Sequence, residues 1–358
     1  MPLRDASMSN WVAQAVRQIE ADFHRSSDTH LIPLAIPALP QIQLYFKDES
    51  THPSGSLKHR LARSLFLYGL CNGWIRQGTP IIEASSGSTA VSEAYFSRLL
   101  GLPFIAVMPK GTSAEKIRAI EFYGGSCHLV DDPATIYDES RRLAQELKGH
   151  YMDQFTYAER ATDWRSNNNI AETIFQQMTL EPNPVPEWIV CGAGTGGTSA
   201  TFGRYVRYQK QPTRLCVVDP ENSVFYDSYV SGNPDCRCEG GSGVEGIGRP
   251  RVEPSFIPTV IDRMIRVPNV ATYAAIHFLE EVLGRRCGGS TGTNFFGVCE
   301  LVAQMVAEGR SGSVVTLICD DGNRYQHSYY DSNWLAAGGF DIAPWLERYR
   351  RFFETGRW

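Results

Sequence analysis

Short apolar runs, turns of small residues and helical patterns follow one another repeatedly along this chain of 358 residues. The runs at 80–83, 104–108 and 188–191 each lead through such a turn into a helical spacing of apolar residues. Residues 215–218 and 314–319 are further candidates for buried strands. Strands that alternate with helices predict an α/β protein with open, mostly parallel sheets covered by helices on both faces.

The composition excludes several other kinds of protein. Hydrophobic residues make up 42 % of the chain and charged residues 20 %, which excludes a disordered, collagen-like or coiled-coil chain. The net charge is −5, and lysine and arginine form no run, so we expect no nucleic-acid partner. The apolar stretch at 99–109 contains Gly101 and Pro103 and is shorter than the roughly 20 residues of a membrane span, so we expect no membrane partner.

Length and cysteine content restrict the organisation further. At about 150 residues per domain, the length predicts two domains. The nine cysteines contain no C-x-x-C pair, which indicates reduced thiols and no metal site. Residues 1–7 lack the apolar segment of a secretion signal, so we expect a cytoplasmic protein.

A glycine-rich turn follows the predicted strand at 188–191 and precedes a helix. It comprises residues 192–198, and its glycines let the backbone curl around an anion at a helix N-terminus. The glycine spacing also fits a dinucleotide-binding loop, for which Asp219 is the nearest acidic candidate. The turn by itself leaves three interpretations open: a phosphate site, a dinucleotide site or a tight structural turn.

One lysine, Lys58, stands where a Gly/Ser turn leads into an apolar helical pattern. A lysine at a helix start opposes the helix macrodipole, although a solvated surface lysine is the ordinary interpretation of any single one. An amine that is partly desolvated near this positive helix end is able to form an imine with a carbonyl group.

Two other small-residue turns offer hydroxyl groups. The turn at 85–89 follows a predicted strand and presents hydroxyl and N–H groups suited to a carboxylate, or alternatively caps the next helix. The turn at 287–294 is a weak signal alone.

Taken together, the four turns lie at strand ends, where open α/β sheets bind ligands. They supply an imine-forming lysine, a phosphate cradle, a carboxylate cradle and a hydroxyl for a ring nitrogen, which is what pyridoxal phosphate holding an amino acid requires.

In these motifs the chain resembles the fold-type II pyridoxal-phosphate enzymes, the cysteine synthase and cystathionine β-synthase family with a tryptophan synthase β-like fold. The segments 54–58, 85–89 and 194–198 are similar to the lysine, substrate-carboxylate and phosphate motifs of that family. The segments 243–248 and 319–325 resemble its mobile glycine loop and its Asp-Ser-Gly-x-Arg-Tyr ending. The resemblance covers the chain from about Phe46 to Tyr325.

The resemblance implies a role for each matching residue. Lys58 is the implied catalytic residue, which binds the cofactor as a Schiff base. The other implied cofactor contacts are Ser88, Gly194, Thr195, Gly196, Gly197, Thr198 and Ser290. The implied substrate contacts are Ser85, Ser86, Gly87, Thr89 and Gln154. Ser88 replaces the asparagine of the family motif, and His59 replaces the aspartate that follows its lysine.

The segment 162–172 resembles a bacterial branch of L-cysteine desulfhydrases rather than ordinary cysteine synthases. The resemblance therefore implies elimination on L-cysteine through an aminoacrylate, with release of sulfide, pyruvate and ammonia. β-Replacement, as in cysteine synthase or cystathionine β-synthase, is the alternative. A non-catalytic amino-acid sensor on the same fold and a nicotinamide oxidoreductase are further alternatives, and an intact Lys58 disfavours the sensor.

The family likeness also implies an organisation into two domains and a homodimer. We expect a smaller domain at 41–154, with the lysine and the carboxylate loop. We expect a larger domain formed by 1–40 and 155–358, with the phosphate loop and Ser290.

Overall fold

The computed structural model of the protein describes residues 6–166 and 168–358. Part of the N-terminal segment considered for a secretion signal, residues 1–5, and Asn167 of the 162–172 segment lie outside the described residues. The strands are β1 Leu31–Leu34, β2 Ile42–Asp48, β3 Ile81–Ala84, β4 Phe104–Pro109, β5 Ser126–Val130, β6 His150–Tyr151, β7 Trp188–Gly192, β8 Arg214–Pro220, β9 Arg263–Val267 and β10 Gly312–Ile318.

Helices alternate with these strands over most of the chain. They are α1 Ala6–Phe23, α2 Lys58–Cys71, α3 Ser88–Leu100, α4 Ala114–Glu121, α5 Ile136–Glu146, α6 Gln154–Ala161, α7 Ile170–Met178, α8 Gly197–Tyr208, α9 Phe225–Ser231, α10 Asn269–Leu283, α11 Gly289–Ala307, α12 Ser332–Ala337 and α13 Ala343–Thr355. Within the described ranges, no helix is long and apolar enough to cross a membrane.

The first of two compact units contains a four-stranded parallel sheet. Its strand order is β5-β4-β3-β6. On one face, Ile81 and Ala106 join a core with residues of α1, α2 and α3, such as Phe66. On the other face, Ile82 packs with Leu143 of α5. The strands are apolar along their length because helices cover both faces of the sheet.

The second unit contains a six-stranded sheet with the order β1-β2-β10-β7-β8-β9. Strand β1 pairs antiparallel with β2, and the other neighbours pair in parallel. Helices α10, α11 and α13 supply aromatic residues such as Phe278, Phe295 and Phe352 to a core with the strands. Gly297 brings α11 close to the sheet, since a Cβ atom there would lie 2.4 Å from a side-chain carbon of Val218.

The compact units differ from the domain boundaries that we expected. The first unit combines the chain up to Asp28 with 52–162, and the second combines 29–51 with 163–358. The N-terminal helix belongs to the first unit because Ala15 and Ile19 are buried in its core. Residues 41–51 belong to the second unit because β2 pairs with β10 in its sheet.

Candidate active site

In the second unit, the predicted phosphate loop and Ser290 lie at one edge of the sheet. Strands β7 and β10 are parallel neighbours, so the loops that follow Gly192 and Ile318 leave the same edge. Helix α11 begins at that edge as well, because the Gly288 N–H donates to the Asp320 carbonyl oxygen (3.3 Å). Open parallel sheets bind ligands at this edge, where the carboxyl ends of their strands meet.

Two positions of the phosphate loop must be glycine, because other backbone segments approach them closely. A Cβ atom on Gly194 would lie 2.2 Å from the Gly246 carbonyl oxygen, and one on Gly196 would lie 2.4 Å from the Ser255 carbonyl oxygen. Gly196 has a φ of +94° and precedes α8, whose first N–H, that of Gly197, donates to the Thr195 hydroxyl (3.2 Å). A helix N-terminus beside a glycine turn is suited to a phosphate, because backbone N–H groups and the helix dipole both favour an anion.

The loop at 243–248 is bonded directly to the phosphate loop. The Gly248 N–H donates to the Ala193 carbonyl oxygen (2.7 Å). The hydroxyls of Tyr273 and Tyr329 donate to the Gly243 carbonyl oxygen at 2.8 and 3.2 Å. These contacts hold the segment that resembles the mobile glycine loop of the family beside the predicted phosphate site.

Ser290 is buried in the first turn of α11. The neighbouring Thr291 hydroxyl accepts the N–H of Cys319, which ties this turn to the end of β10 (3.1 Å). Burial raises the pKa of Asp320 to about 6. Asp320 lies against Gly288, the residue before α11, whose N–H donates to its carbonyl oxygen, and this contact between distant segments has no signal in the sequence.

In the first unit, the predicted carboxylate loop connects β3 to α3. Helix α3 begins at Ser88, and its N-cap residue Gly87 provides no side-chain hydrogen bond. The Gly87 N–H donates to the Ser85 hydroxyl (3.2 Å). Residues 85–88 are half-buried and Thr89 is buried. The loop therefore combines an uncapped helix N-terminus with several hydroxyls, which is chemistry suited to a carboxylate.

The structure brings Gln154 to this carboxylate loop. Strand β6 pairs in parallel with β3, so the residues after Tyr151 leave the sheet beside the loop. The Thr89 hydroxyl donates to the Gln154 side-chain oxygen in a buried hydrogen bond of 2.8 Å. Two of the predicted substrate residues, separated by 65 positions in sequence, are thus in direct contact.

Lys58 is the first residue of α2 and is half-buried. The turn before it is attached to α3, because the Ser54 and Ser92 hydroxyls lie 2.8 Å apart and the Ser92 hydroxyl donates to the Ser88 carbonyl oxygen (2.8 Å). Gly55 within this turn has a φ of +76°, a conformation that favours glycine. The lysine segment and the carboxylate loop are therefore held together inside the first unit.

His59 packs against the turn that precedes Lys58. It is buried, its Nδ1 lies 3.0 Å from the Ser54 hydroxyl, and its ring stacks on His52 at a centroid distance of 4.9 Å. An aspartate would be too short to fill this aromatic environment, which also includes Phe96. The sequence singled out His59 only as a departure from the family motif, and its packing role depends on tertiary contacts.

Each unit by itself offers groups that fit part of pyridoxal phosphate. The second unit has a glycine turn whose close backbone approaches exclude side chains at Gly194 and Gly196, and this turn leads into the N-terminus of α8. The first unit has a lysine at a helix start, and its hydroxyl-rich loop is fixed by Gln154. The donor sets match the chemistry of a phosphate, an aldehyde partner and an amino-acid carboxylate.

Comparisons with known proteins point in the same direction. A family described as pyridoxal-phosphate dependent enzymes matches residues 26–320. The chain is 59 % identical to the L-cysteine desulfhydrase Cds1 of Mycobacterium tuberculosis, over 98 % of this chain and 96 % of that protein. It is 25 % identical to a cysteine synthase of Dictyostelium discoideum, over 84 % of this chain and 81 % of the relative.

A solved structure shares the fold. A hydrogen sulfide-producing enzyme of Fusobacterium nucleatum superposes with a TM-score of 0.76, at 21 % identity, over 89 % of this chain and 92 % of that one. At this identity the likeness concerns the fold alone, and it agrees with the predicted α/β architecture.

Proposed function

The chain belongs to the pyridoxal-phosphate dependent enzymes, and on that premise we propose that it catalyses β-elimination on L-cysteine, releasing sulfide, pyruvate and ammonia. The observation that carries the proposal is the 59 % identity, over nearly the whole chain, to a relative named as an L-cysteine desulfhydrase. The described residues agree with it, since they include a lysine at a helix start and a carboxylate loop backed by Gln154.

Lys58 is the proposed proton carrier. When bound, pyridoxal phosphate supplies an electron sink for negative charge that develops at the substrate α-carbon. Lys58, the first residue of α2, would hold the cofactor, and its amine would remove the proton from the substrate α-carbon as a positioned general base.

The carboxylate loop orients the substrate in this proposal. The N–H groups at the start of α3 and the hydroxyls nearby donate to the α-carboxylate, and the loop residues assigned to it are Ser85, Ser86, Gly87 and Thr89. The buried hydrogen bond to Gln154 uses the single O–H donor of Thr89, so Thr89 contacts the carboxylate in this proposal through its backbone N–H at the start of α3. A carboxylate held in this way leaves the α-carbon proton at a defined position for Lys58.

The second unit holds the cofactor in this proposal. The phosphate is assigned to Gly194, Thr195, Gly196, Gly197 and Thr198. Ser290 is assigned to the ring nitrogen, and Ser88 of the first unit to a further cofactor contact. A neutral hydroxyl does not stabilise a positive charge on the ring nitrogen as a carboxylate would. A hydroxyl at the ring nitrogen therefore favours the loss of a good leaving group over transamination.

β-Replacement is the second candidate function, favoured by the similarity to cysteine synthases at about 25 % identity. One pair of assays separates the two. Elimination predicts sulfide and pyruvate in equal amounts from L-cysteine alone, whereas replacement predicts cysteine from O-acetylserine plus sulfide. Faster cysteine formation in the second assay than sulfide release in the first would reject the proposed function. Lys58→Ala serves as the inactive control.

The family likeness supports two further proposals. We propose a homodimer and a cytoplasmic location, with a small amino acid as the partner molecule. Light scattering coupled to size-exclusion chromatography tests the dimer, and a mass of about one chain of 39.9 kDa would reject it.

A further inference from the structure

Two glutamates that the proposed function does not use are buried in the first unit. Glu83 lies in β3 directly before the carboxylate loop, and Glu93 lies in the second turn of α3. The exposed fraction of each is 0 %. Buried carboxyl groups are costly unless they are hydrogen-bonded or neutral, so this pair requires an explanation.

Glu83 joins the two segments that form the substrate-carboxylate site. Its Oε1 accepts the N–H of Ala84, the residue before the loop, at 2.7 Å. Its Oε2 accepts the N–H of Gln154, the first residue of α6, at 3.2 Å. Gln154 in turn accepts the hydroxyl of Thr89 at 2.8 Å. One carboxylate therefore connects the start of the loop, the helix with Gln154 and, through Gln154, the loop residue Thr89.

Glu93 differs from Glu83 in its surroundings. Among the described residues, no N–H or O–H group donates to either of its oxygens, while the Glu83 carboxyl lies alongside it. Burial raises the pKa of Glu93 well above the usual range, and the nearby Glu83 adds to the shift. Burial also raises the pKa of Glu83, with Asp153 acting in the same direction, but the bonds from Gln154 and Ala84 oppose this shift.

The hydrogen bonds rank the two carboxyls as acids. Two adjacent carboxylates in a buried site do not both ionise. Burial raises the pKa of Glu83 to about 8. Glu83 nevertheless ionises before Glu93, because it receives two backbone N–H bonds, whereas among the described residues no N–H or O–H group donates to Glu93. Tyr151 and Asp153, the other titratable groups that face Glu83, supply no positive charge that would favour a second ionisation.

We propose that Glu83 is a positioning residue for the substrate α-carboxylate and that its neighbour Glu93 is not. Glu83 fixes the Gln154 backbone and the start of the carboxylate loop, and through them the position of Thr89. The inference rests on the proposed function only in that the ligand is an α-amino acid.

The test compares two isosteric variants, Glu83→Gln and Glu93→Gln, as cofactor-loaded enzymes. L-Alanine is the probe because it has no leaving group, and its binding is followed by the change in the visible absorption of the cofactor. We expect Glu83→Gln to raise the Kd of L-alanine about tenfold, since an amide has one oxygen for two N–H donors. The KM for cysteine rises by a similar factor and kcat changes less. We expect Glu93→Gln to stay within about twofold, because an amide resembles the protonated acid.

Equal effects of the two variants on the Kd of L-alanine, or an unchanged Kd in Glu83→Gln with an unchanged melting temperature, would overturn the proposal. The absorption without amino acid should be the same in all three proteins, because Glu83 is not assigned to the cofactor. Failure of the wild-type enzyme to release sulfide from cysteine would reject the proposed function. The order of L-alanine affinities among the wild type, Glu83→Gln and Glu93→Gln would still test the role of Glu83.

A second variant keeps the proposal testable if Glu83→Gln does not fold. Glu83→Asp keeps the carboxyl group but shortens the side chain by one methylene, so the carboxyl no longer reaches both N–H donors. We expect Glu83→Asp to raise the Kd of L-alanine, and a wild-type Kd in this variant would overturn the proposal.

Discussion

Gly194→Ala should weaken cofactor binding by a predictable amount. The new Cβ atom would lie 2.2 Å from the carbonyl oxygen of Gly246, and this contact is between backbone segments that no side-chain rotation relieves. Overpacking of this kind costs about 1–3 kcal/mol. If the phosphate loop must leave its binding geometry to relieve the contact, the Kd of pyridoxal phosphate should rise by about 5- to 150-fold, since 1.4 kcal/mol is a factor of ten.

The measurement is a titration of cofactor-free protein with pyridoxal phosphate, followed by visible absorption. Gly111→Ala is the matched control, because a Cβ atom there meets nothing within 4 Å and the residue has no positive φ. The control should bind the cofactor as the wild type does. A Gly194→Ala variant that binds pyridoxal phosphate with wild-type affinity would refute the assignment of this loop to the phosphate.

Three other substitutions test separate features of the protein, two in the candidate site and one in β8. Lys58→Ala should lower kcat for sulfide release by at least about 10³-fold and remove the visible band of the covalently held cofactor; retained turnover would contradict its role as base. Thr89→Val removes the hydroxyl that donates to Gln154 and should raise the KM for cysteine about fivefold, so an unchanged KM in steady-state assays would argue against the contact. Burial raises the pKa of Asp219 from 3.8 to about 6, so the unfolded chain loses this proton first as pH rises. The free energy of unfolding should therefore fall by about 2 kcal/mol between pH 4 and 7 relative to Asp219→Asn, and the same pH dependence of urea unfolding in both proteins would contradict this.

The alternation of strands and helices was readable from the sequence because it depends on local chemistry. The apolar runs predicted at 104–108 and 188–191 correspond to β4 and β7 within about one residue. The glycine-, proline- and arginine-rich residues 232–257 contain no helix or strand, which fits their composition. Glycine and hydroxyl turns follow the strands for the same local reason, since few other residues allow such sharp changes of direction.

The family likewise followed from short motifs in a fixed order, and the comparisons confirm it. The individual contacts with cofactor and substrate stay predictions. The contact between Thr89 and Gln154 required the pairing of β3 with β6, which no local pattern encodes. The resemblance named both residues without showing that they touch.

Composition and local spacing by themselves determined the α/β class, the turn positions and the candidate lysine. Tertiary structure decided which unit each segment joins, such as α1 with the first unit through Ala15 and Ile19. It also decided that Glu83 and Glu93 are buried side by side, although each looks like an ordinary charged residue in the sequence. The physical reason is that turn and helix preferences act over a few neighbouring residues, whereas burial and shifts in pKa depend on groups brought together from distant positions.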